Sequence, residues 1–429
     1  MTSRRRSVLR ERDVAILVGS TVISVTGDAA ALIALVLRLH AHGHGGWVIA
    51  GLMLAGSAPM IGLSPLAGRV VDRVDSRTAI AASALAQAAC ATALALVTDT
   101  AITLVLVALL AAASTFMGPA VGALLPRTVP EDRIVEASAH QQTAFVIGNL
   151  AGPMVGGLLT GAFGSRAPLV IDAVSFLVVA GGVFLVRTRR HLAHESTSRP
   201  VAVSGARLLW RDVVARAVVV TMTALVLAAG AVNIAEVFLI KDALHASDLI
   251  YGVVSAMWMA GMVVGSSLTP RFGSDIRRLL RVMAVAEVVL ALGLVAAGAS
   301  PVWQLAAAAF VVGGLGNGAL SVASRTIITL RVPDQFRGRA FGVMAASINA
   351  GSVIAYVAGG ALVAALGPRR SIVACGAAAL AVGLAFVAYT RRAAVSTAPQ
   401  LILPPAETSG GEPQPIDNVR AWASPPPTG

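Results

Sequence analysis

Apolar runs of about 20 residues, the length of α-helix that crosses a bilayer, recur twelve times along this chain. They fall at 14–37, 47–68, 79–98, 101–125, 139–163 and 167–187. After a polar stretch they resume at 217–240, 250–270, 279–299, 302–324, 340–366 and 371–390. Each run is read as one transmembrane helix. Charge content agrees: 13% of the 429 residues are charged, against about 25% in a soluble domain. So few charges cannot coat a water-soluble body. The expected fold is an all-α integral membrane protein of twelve transmembrane helices.

The basic residues orient it. Of 33 Lys and Arg, 28 fall on the side of the N-terminus; the other side carries Arg38, Arg166, Lys241, Arg369 and Arg370. By the positive-inside rule both termini are cytoplasmic, with Arg369–Arg370 a local exception. That predicts a multi-pass protein of the inner (plasma) membrane. The arginine-rich start, Met1 to Arg12, precedes an apolar run longer than the ~7–15-residue core of a signal peptide and reads as uncleaved. A net charge of +12 could suggest nucleic acid, but the charges form short clusters between apolar runs, without interleaved aromatics. No nucleic-acid partner is expected. Cys90 and Cys375 sit inside apolar runs and read as small buried hydrophobes.

The long polar interruption at 191–215 divides the spans six and six. The expected organisation is a cytoplasmic N-terminus (1–13), an N-terminal six-helix half (14–190), a cytoplasmic central loop (191–215), a C-terminal six-helix half (216–392) and a disordered tail (393–429). Gly205 to Arg216 could form a short amphipathic helix on the inner membrane surface. The halves match at an offset of 203 residues: Val129-Pro130 with Val332-Pro333, Gly148 with Gly351, and Gly156-Gly157 with Gly359-Gly360. An offset of six helices keeps the same membrane orientation. Two such halves related by a pseudo-two-fold axis along the membrane normal resemble the major facilitator fold.

Local motifs strengthen that resemblance. The loop after the second run carries Gly68, Asp72, Arg73 and Arg77. It resembles the superfamily's loop signature of Gly-x-x-x-Asp-Arg-x-Gly followed by basic residues, with Asp75 in place of the second glycine. The resemblance implies a gating latch, in which the acid meets a helix N-terminus or arginines of the other half; a topology-setting loop is the plainer reading. In the fifth run, Gly148, Gly152, Pro153, Gly156 and Gly157 complete the Gly-x-x-x-Gly-Pro-x-x-Gly-Gly motif of drug:proton antiporters. Glycine permits close helix approach and proline bends the helix, so the motif is expected where the halves rock against each other. Gly118-Pro119-Ala120, Leu124-Leu125-Pro126 and Ile171-Asp172-Ala173 resemble the macrolide-efflux and enterobactin-exporter branch. The counterpart loop, Gly265 to Gly273, lacks the aspartate, and the fourth helix lacks the arginine of many proton antiporters.

Four acids lie within apolar runs: Asp28, Asp172, Glu236 and Glu287. Each costs several kcal/mol unless it faces protein or water. Asp28 shares a helical face with Thr21 and Ser24. The resemblance implies that the first, fourth, seventh and tenth helices line the cavity, which makes Asp28 and Glu236, with Asn233 beside it, the proton- and substrate-coupling candidates. A structural polar contact is the alternative for each. Asp172 reads as structural, and Glu287 is assigned no role. His40-Ala41-His42-Gly43-His44 has alternating histidines without a nearby carboxylate, so no metal site is expected.

Lys241, the sole lysine, follows Leu239-Ile240, so no phosphate loop of an ATP-driven pump exists; HExxH and GxSxG are also missing. No enzyme activity and no cofactor are expected. The functional expectation is a proton-antiporting exporter of amphipathic small molecules (drug or antibiotic efflux), monomeric in the bilayer. A dedicated siderophore or metabolite exporter is the alternative, and a non-transporting receptor or scaffold the third.

Overall fold

A computed structural model describes residues 8–188, 210 and 212–393. Most of the predicted central loop and amphipathic surface helix, and the tail from 394, lie outside the described residues.

The first six spans are Arg12–Ala41, Gly46–Arg73, Ser76–Leu96, a fourth broken into Thr100–Ser114 and Met117–Leu124, Ile134–Phe163 and Arg166–Leu185. The seventh is also broken: Val213–Ala229, Val232–Phe238 and a π-helical turn at Leu239–Ala243. Asp248–Leu268, Ile276–Ala299 and Trp303–Arg331 follow. The helix Asp334–Ala393 holds Gly367 at φ 75°, outside helical geometry, with Pro368 after it. That break divides it into the eleventh and twelfth spans. Twelve apolar spans result among the described residues, and no strand.

The spans start where short acids can cap them. Asp75, Asp99, Asp212 and Asp275 each accept from a backbone N–H of the first turn of the third, fourth, seventh and ninth spans. Each cap satisfies an orphan donor and contributes about 1 kcal/mol. Asp75 replaces the expected loop glycine, and at φ −56° it needs none of glycine's freedom.

Arginines do the matching work at C-terminal ends. Arg77 donates to Val183 O and Phe184 O of the sixth span. On the opposite side, Arg38 is 7% exposed and donates to Leu94 O, Val97 O and Thr103 Oγ1. Arg369 donates to Ser300 O at 2.5 Å and Ala243 O at 3.4 Å. Two of the arginines on the side poor in charge are thus consumed by local carbonyls.

The internal repeat is visible in the packing. The fifth span packs on the first and eighth, and the eleventh on the seventh and second. A Cβ on Gly157 would meet Asp248 O at 2.6 Å and Gly252 Cα at 2.9 Å; one on Gly360 would meet Trp47 Cε3 at 3.1 Å and Ala50 Cβ at 3.2 Å. Moved by the 203-residue offset, Gly157 becomes Gly360 and Gly252 becomes Ile49, which lies between the Trp47 and Ala50 that Gly360 meets. These contacts join the two halves, and both lie toward the end opposite the basic loops, here called the far end. At the basic end, Gly62 and Gly68 of the second span and Gly338 and Gly342 of the eleventh face open space. Among the described residues the halves meet at the far end, and these basic-end glycines touch nothing of the other half.

Candidate functional site

Between the halves lies a cavity of about 370 Å³, within the ~300–1,000 Å³ range of small-molecule sites. Leu32, Ile33 and Val36 of the first span form one wall and Leu290 and Leu294 of the ninth another. Trp258 and Phe310 meet edge to face, centroids 6.0 Å apart at 71°, and supply an aromatic side. Most of the lining comes from the C-terminal half, and no residue of the fourth span contributes. That departs from the expected set of first, fourth, seventh and tenth helices.

Polar groups gather at the break in the seventh span. Gly230 ends its first segment, where a side chain would meet Val226 O at 2.8 Å and also Ala355. The next turns carry Asn233 and Glu236, which both line the cavity. Asn233 Nδ2 donates to Gly230 O at 3.3 Å. Ser255 Oγ donates to Glu236 Oε1 at 2.5 Å, and Tyr251, one helical turn before Ser255, lines the cavity beside them. The Ser255–Glu236 hydrogen bond joins the seventh and eighth spans and fixes the carboxyl in a mostly apolar chamber. Tyr251, Ser255, Asn317 and Tyr356 also line the cavity and were missed from sequence. The i, i+4 spacing of Tyr251 and Ser255 was the available signal.

Asp28 stands just outside. The lining of the first span begins at Leu32, one helical turn from Asp28 toward the basic end. Asp28 is half-buried, with no hydrogen-bond partner among the described residues. Its stripe-mate Thr21 accepts from Gln141 Nε2 of the fifth span at 2.5 Å. Asp172, 1% exposed, interacts electrostatically with Asp28. Its Oδ1 sits over Gly27, where a Cβ would be 2.5 Å away, and Ser175 Oγ donates to it at 3.4 Å.

The glycine motif has two faces. Gly148, Gly152 and Gly156 lie on the first span, where added Cβ atoms would meet Val25 Cβ at 2.7 Å, Thr26 O at 2.9 Å and Ala30 O at 2.6 Å. Gly157 and the carbonyl of Pro153 instead contact Gly252 of the eighth span. Only this second face joins the halves, and Pro153 also lines the cavity.

In the loop signature, Arg77 is held by carbonyls of its own half, Arg73 is exposed and Gly68 half-buried. The side chain of Asp72 lies outside the described residues.

Above the cavity the far end is closed. His40 Nε2 lies 2.8 Å from Asp242 Oδ1, and the His40 ring packs edge-on against Phe238. Lys241 Nζ donates to Asp248 Oδ1 at 2.7 Å. His42 bonds to Arg38 O and His44 to Thr100 Oγ1. The three histidines point to three separate partners, and no cluster of three or more metal-ligating side chains occurs among the described residues.

Known proteins share this architecture. The profile of the Major Facilitator Superfamily matches residues 17–240 and 224–424. The uncharacterized MFS-type transporter YfiS of Bacillus subtilis (strain 168) is 23% identical over 347 residues, covering 78% of this chain and 82% of that protein. The multidrug resistance protein MdtG of Dickeya zeae (strain Ech586) is 28% identical over 315 residues, covering 71% and 75%. Among solved structures, a variant of the nucleoside transporter NupG superposes with a TM-score of 0.75 at 14% identity, covering 88% of this chain and 99% of that one. At that identity it shows the fold alone.

Proposed function

Because the chain belongs to the Major Facilitator Superfamily and is a multi-pass membrane transporter by fold, we propose that it exports amphipathic small molecules by alternating access, in exchange for protons. The observation that carries this reading is the cavity: an apolar, aromatic-walled chamber in which Glu236 is the one acidic group. Such a chamber favours an amphipath, and a fixed carboxylate favours a cationic one. The complete glycine–proline motif and the MdtG relative support efflux over uptake. We take the basic end as cytoplasmic, with both termini inside the cell membrane.

The proposed cycle uses one carboxyl at a time. Open to the basic end, ionised Glu236 binds a cationic amphipath from the cytoplasm. Once the halves rock to open the far end, a proton from outside adds to the carboxylate and the cation leaves. Protonated Glu236 returns to the inward state and gives its proton to the cytoplasm through water. Asp28, one turn nearer the basic end, relays that proton. Asp72 is a latch for closing the basic end in the outward state.

Equilibrium binding of ethidium to the purified protein tests the cavity assignment. Glu236→Gln is expected to weaken binding at least 10-fold while leaving a neutral amphipath of similar size within about twofold, since removing one buried charge partner costs on the order of 2–5 kcal/mol. Equal loss for both probes, or preferential binding of an anionic metabolite, would overturn the assignment.

A further inference from the structure

A second cavity lies away from the central one, at the basic ends of the eighth, ninth and tenth spans. It measures about 720 Å³, nearly twice the central chamber. The eighth and ninth spans each pack against the tenth. The eighth does so at glycine-close range, a Cβ on Gly265 meeting Leu315 Cα at 3.0 Å. The groove between the two outer helices is therefore floored by Leu315 and Ala319 of the tenth. Its walls are apolar and face outward: Phe272 is 50% and Val285 63% exposed. In a membrane-spanning chain such a face meets lipid tails.

The basic-side rim of the groove is different. Arg271, Arg278 and Arg281 all line it and are exposed. None has a carboxylate partner among the described residues; Arg281 Nε reaches only Arg277 O, at 3.5 Å. The adjacent acid, Asp275, has its Oδ1 engaged as a helix cap by the Arg278 backbone N–H at 2.8 Å. In the other half Arg77, in the first turn of the third span, is instead held by backbone carbonyls of the sixth span. Three exposed guanidinium groups, without a carboxylate partner among the described residues, rim a groove that suits hydrocarbon.

We propose that this groove binds one anionic diacyl phospholipid of the basic-side leaflet, its phosphodiester on Arg271, Arg278 and Arg281 and an acyl chain along Phe272, Val285 and Leu315. Guanidinium groups pair with phosphate oxygens through parallel hydrogen bonds. Basic pockets between transmembrane helices hold anionic headgroups by that chemistry. The site is independent of the transported substrate and of the central cavity.

Native mass spectrometry of the full-length protein tests it, with phosphatidylglycerol and phosphatidylcholine of matched acyl chains as probes. Wild type is expected to retain phosphatidylglycerol at least 10-fold over phosphatidylcholine. Arg271→Gln/Arg278→Gln/Arg281→Gln is expected to bring the preference within about twofold. A control of equal charge change, Arg127→Gln/Arg187→Gln/Arg325→Gln, is expected to keep it. Val285→Trp, which fills the groove and leaves every arginine, is expected to lower phosphatidylglycerol retention several-fold and keeps the test open if the triple variant does not fold. Glycerol phosphate at millimolar concentration is expected not to displace the lipid. No preference in wild type, equal loss in the control, unchanged retention in Val285→Trp, or displacement by glycerol phosphate would each overturn the proposal.

Discussion

At the scale of single residues, the buried acids divide by their surroundings. Glu236 has a serine donor and a cavity in front of it. Glu287 has neither: it is fully buried in the ninth span, and both carboxyl oxygens lack a hydrogen-bond partner among the described residues. It fits only because Gly383 of the twelfth span has no side chain, a Cβ there coming within 2.9 Å of Oε2. A buried polar group left unpaired costs about 1–3 kcal/mol. Glu287→Leu is therefore expected to match or exceed the thermal stability of wild type in detergent and to retain transport. A melting temperature several degrees lower, or lost transport, would show that Glu287 has work this arrangement does not account for. The sequence exposed all four acids equally, since each interrupts an apolar run. Which of them faces a cavity depends on helix rotation and on where the seventh span breaks. Gly230 marks that break only once Ala355 of the eleventh span is placed against it.

At the scale of elements, the spans were legible and their interior breaks were not. Twenty apolar residues fix a helix because lipid offers the backbone no alternative. In the run 101–125 the available sign of the interruption at Thr115–Phe116 was Pro119, which has no N–H for Thr115 O and crowds it; nothing in 217–240 announces the π-turn from Leu239. Of the pair that looked like an exception to the charge rule, Arg369 finds its carbonyl partner at Ser300, distant in sequence, as Arg38 finds Leu94 and Val97. The glycine motif was legible as a motif, but its two faces were not. They separate experimentally. Gly152→Leu wedges the fifth span off the first, inside one half, and overpacking of ~1–3 kcal/mol or more is expected to lower thermal stability. Gly157→Leu meets Gly252 across the halves, in the far-end contact. It is expected to favour the state with that contact open, raising labelling of a cysteine placed at Trp47 from the far side while stability falls less. Equal effects of the two substitutions on stability, with no change in labelling, would mean that both glycines serve only packing.

At the scale of the whole molecule, the closed far end makes this one of the two states that alternating access requires. His40–Asp242 and the glycine crossing at Gly157–Gly252 must open for the far side to reach Glu236. The twofold arrangement was legible from the 203-residue offset, because both copies keep their glycines at the same contacts. The lopsided cavity was not, since the polar lining residues Tyr251, Ser255 and Glu236 have no polar counterparts in the N-terminal half: residues 48, 52 and 33 at the same offset are Val48, Leu52 and Ile33. Asymmetry of this kind puts most of the cavity lining in the C-terminal half, with Asp28 one helical turn below the lining residues of the first span. The central claim is that substrate and proton exchange on these carboxyls. Substrate-evoked proton movement in proteoliposomes, recorded with an internal pH indicator, tests it most directly. Addition of ethidium should drive protons opposite to the substrate in wild type, fail to do so in Glu236→Gln, and in Asp28→Asn leave passive equilibration without uphill export. Concentrative ethidium transport with no accompanying proton movement, or coupling that survives in the Asp28→Asn/Glu236→Gln double variant, would contradict the account.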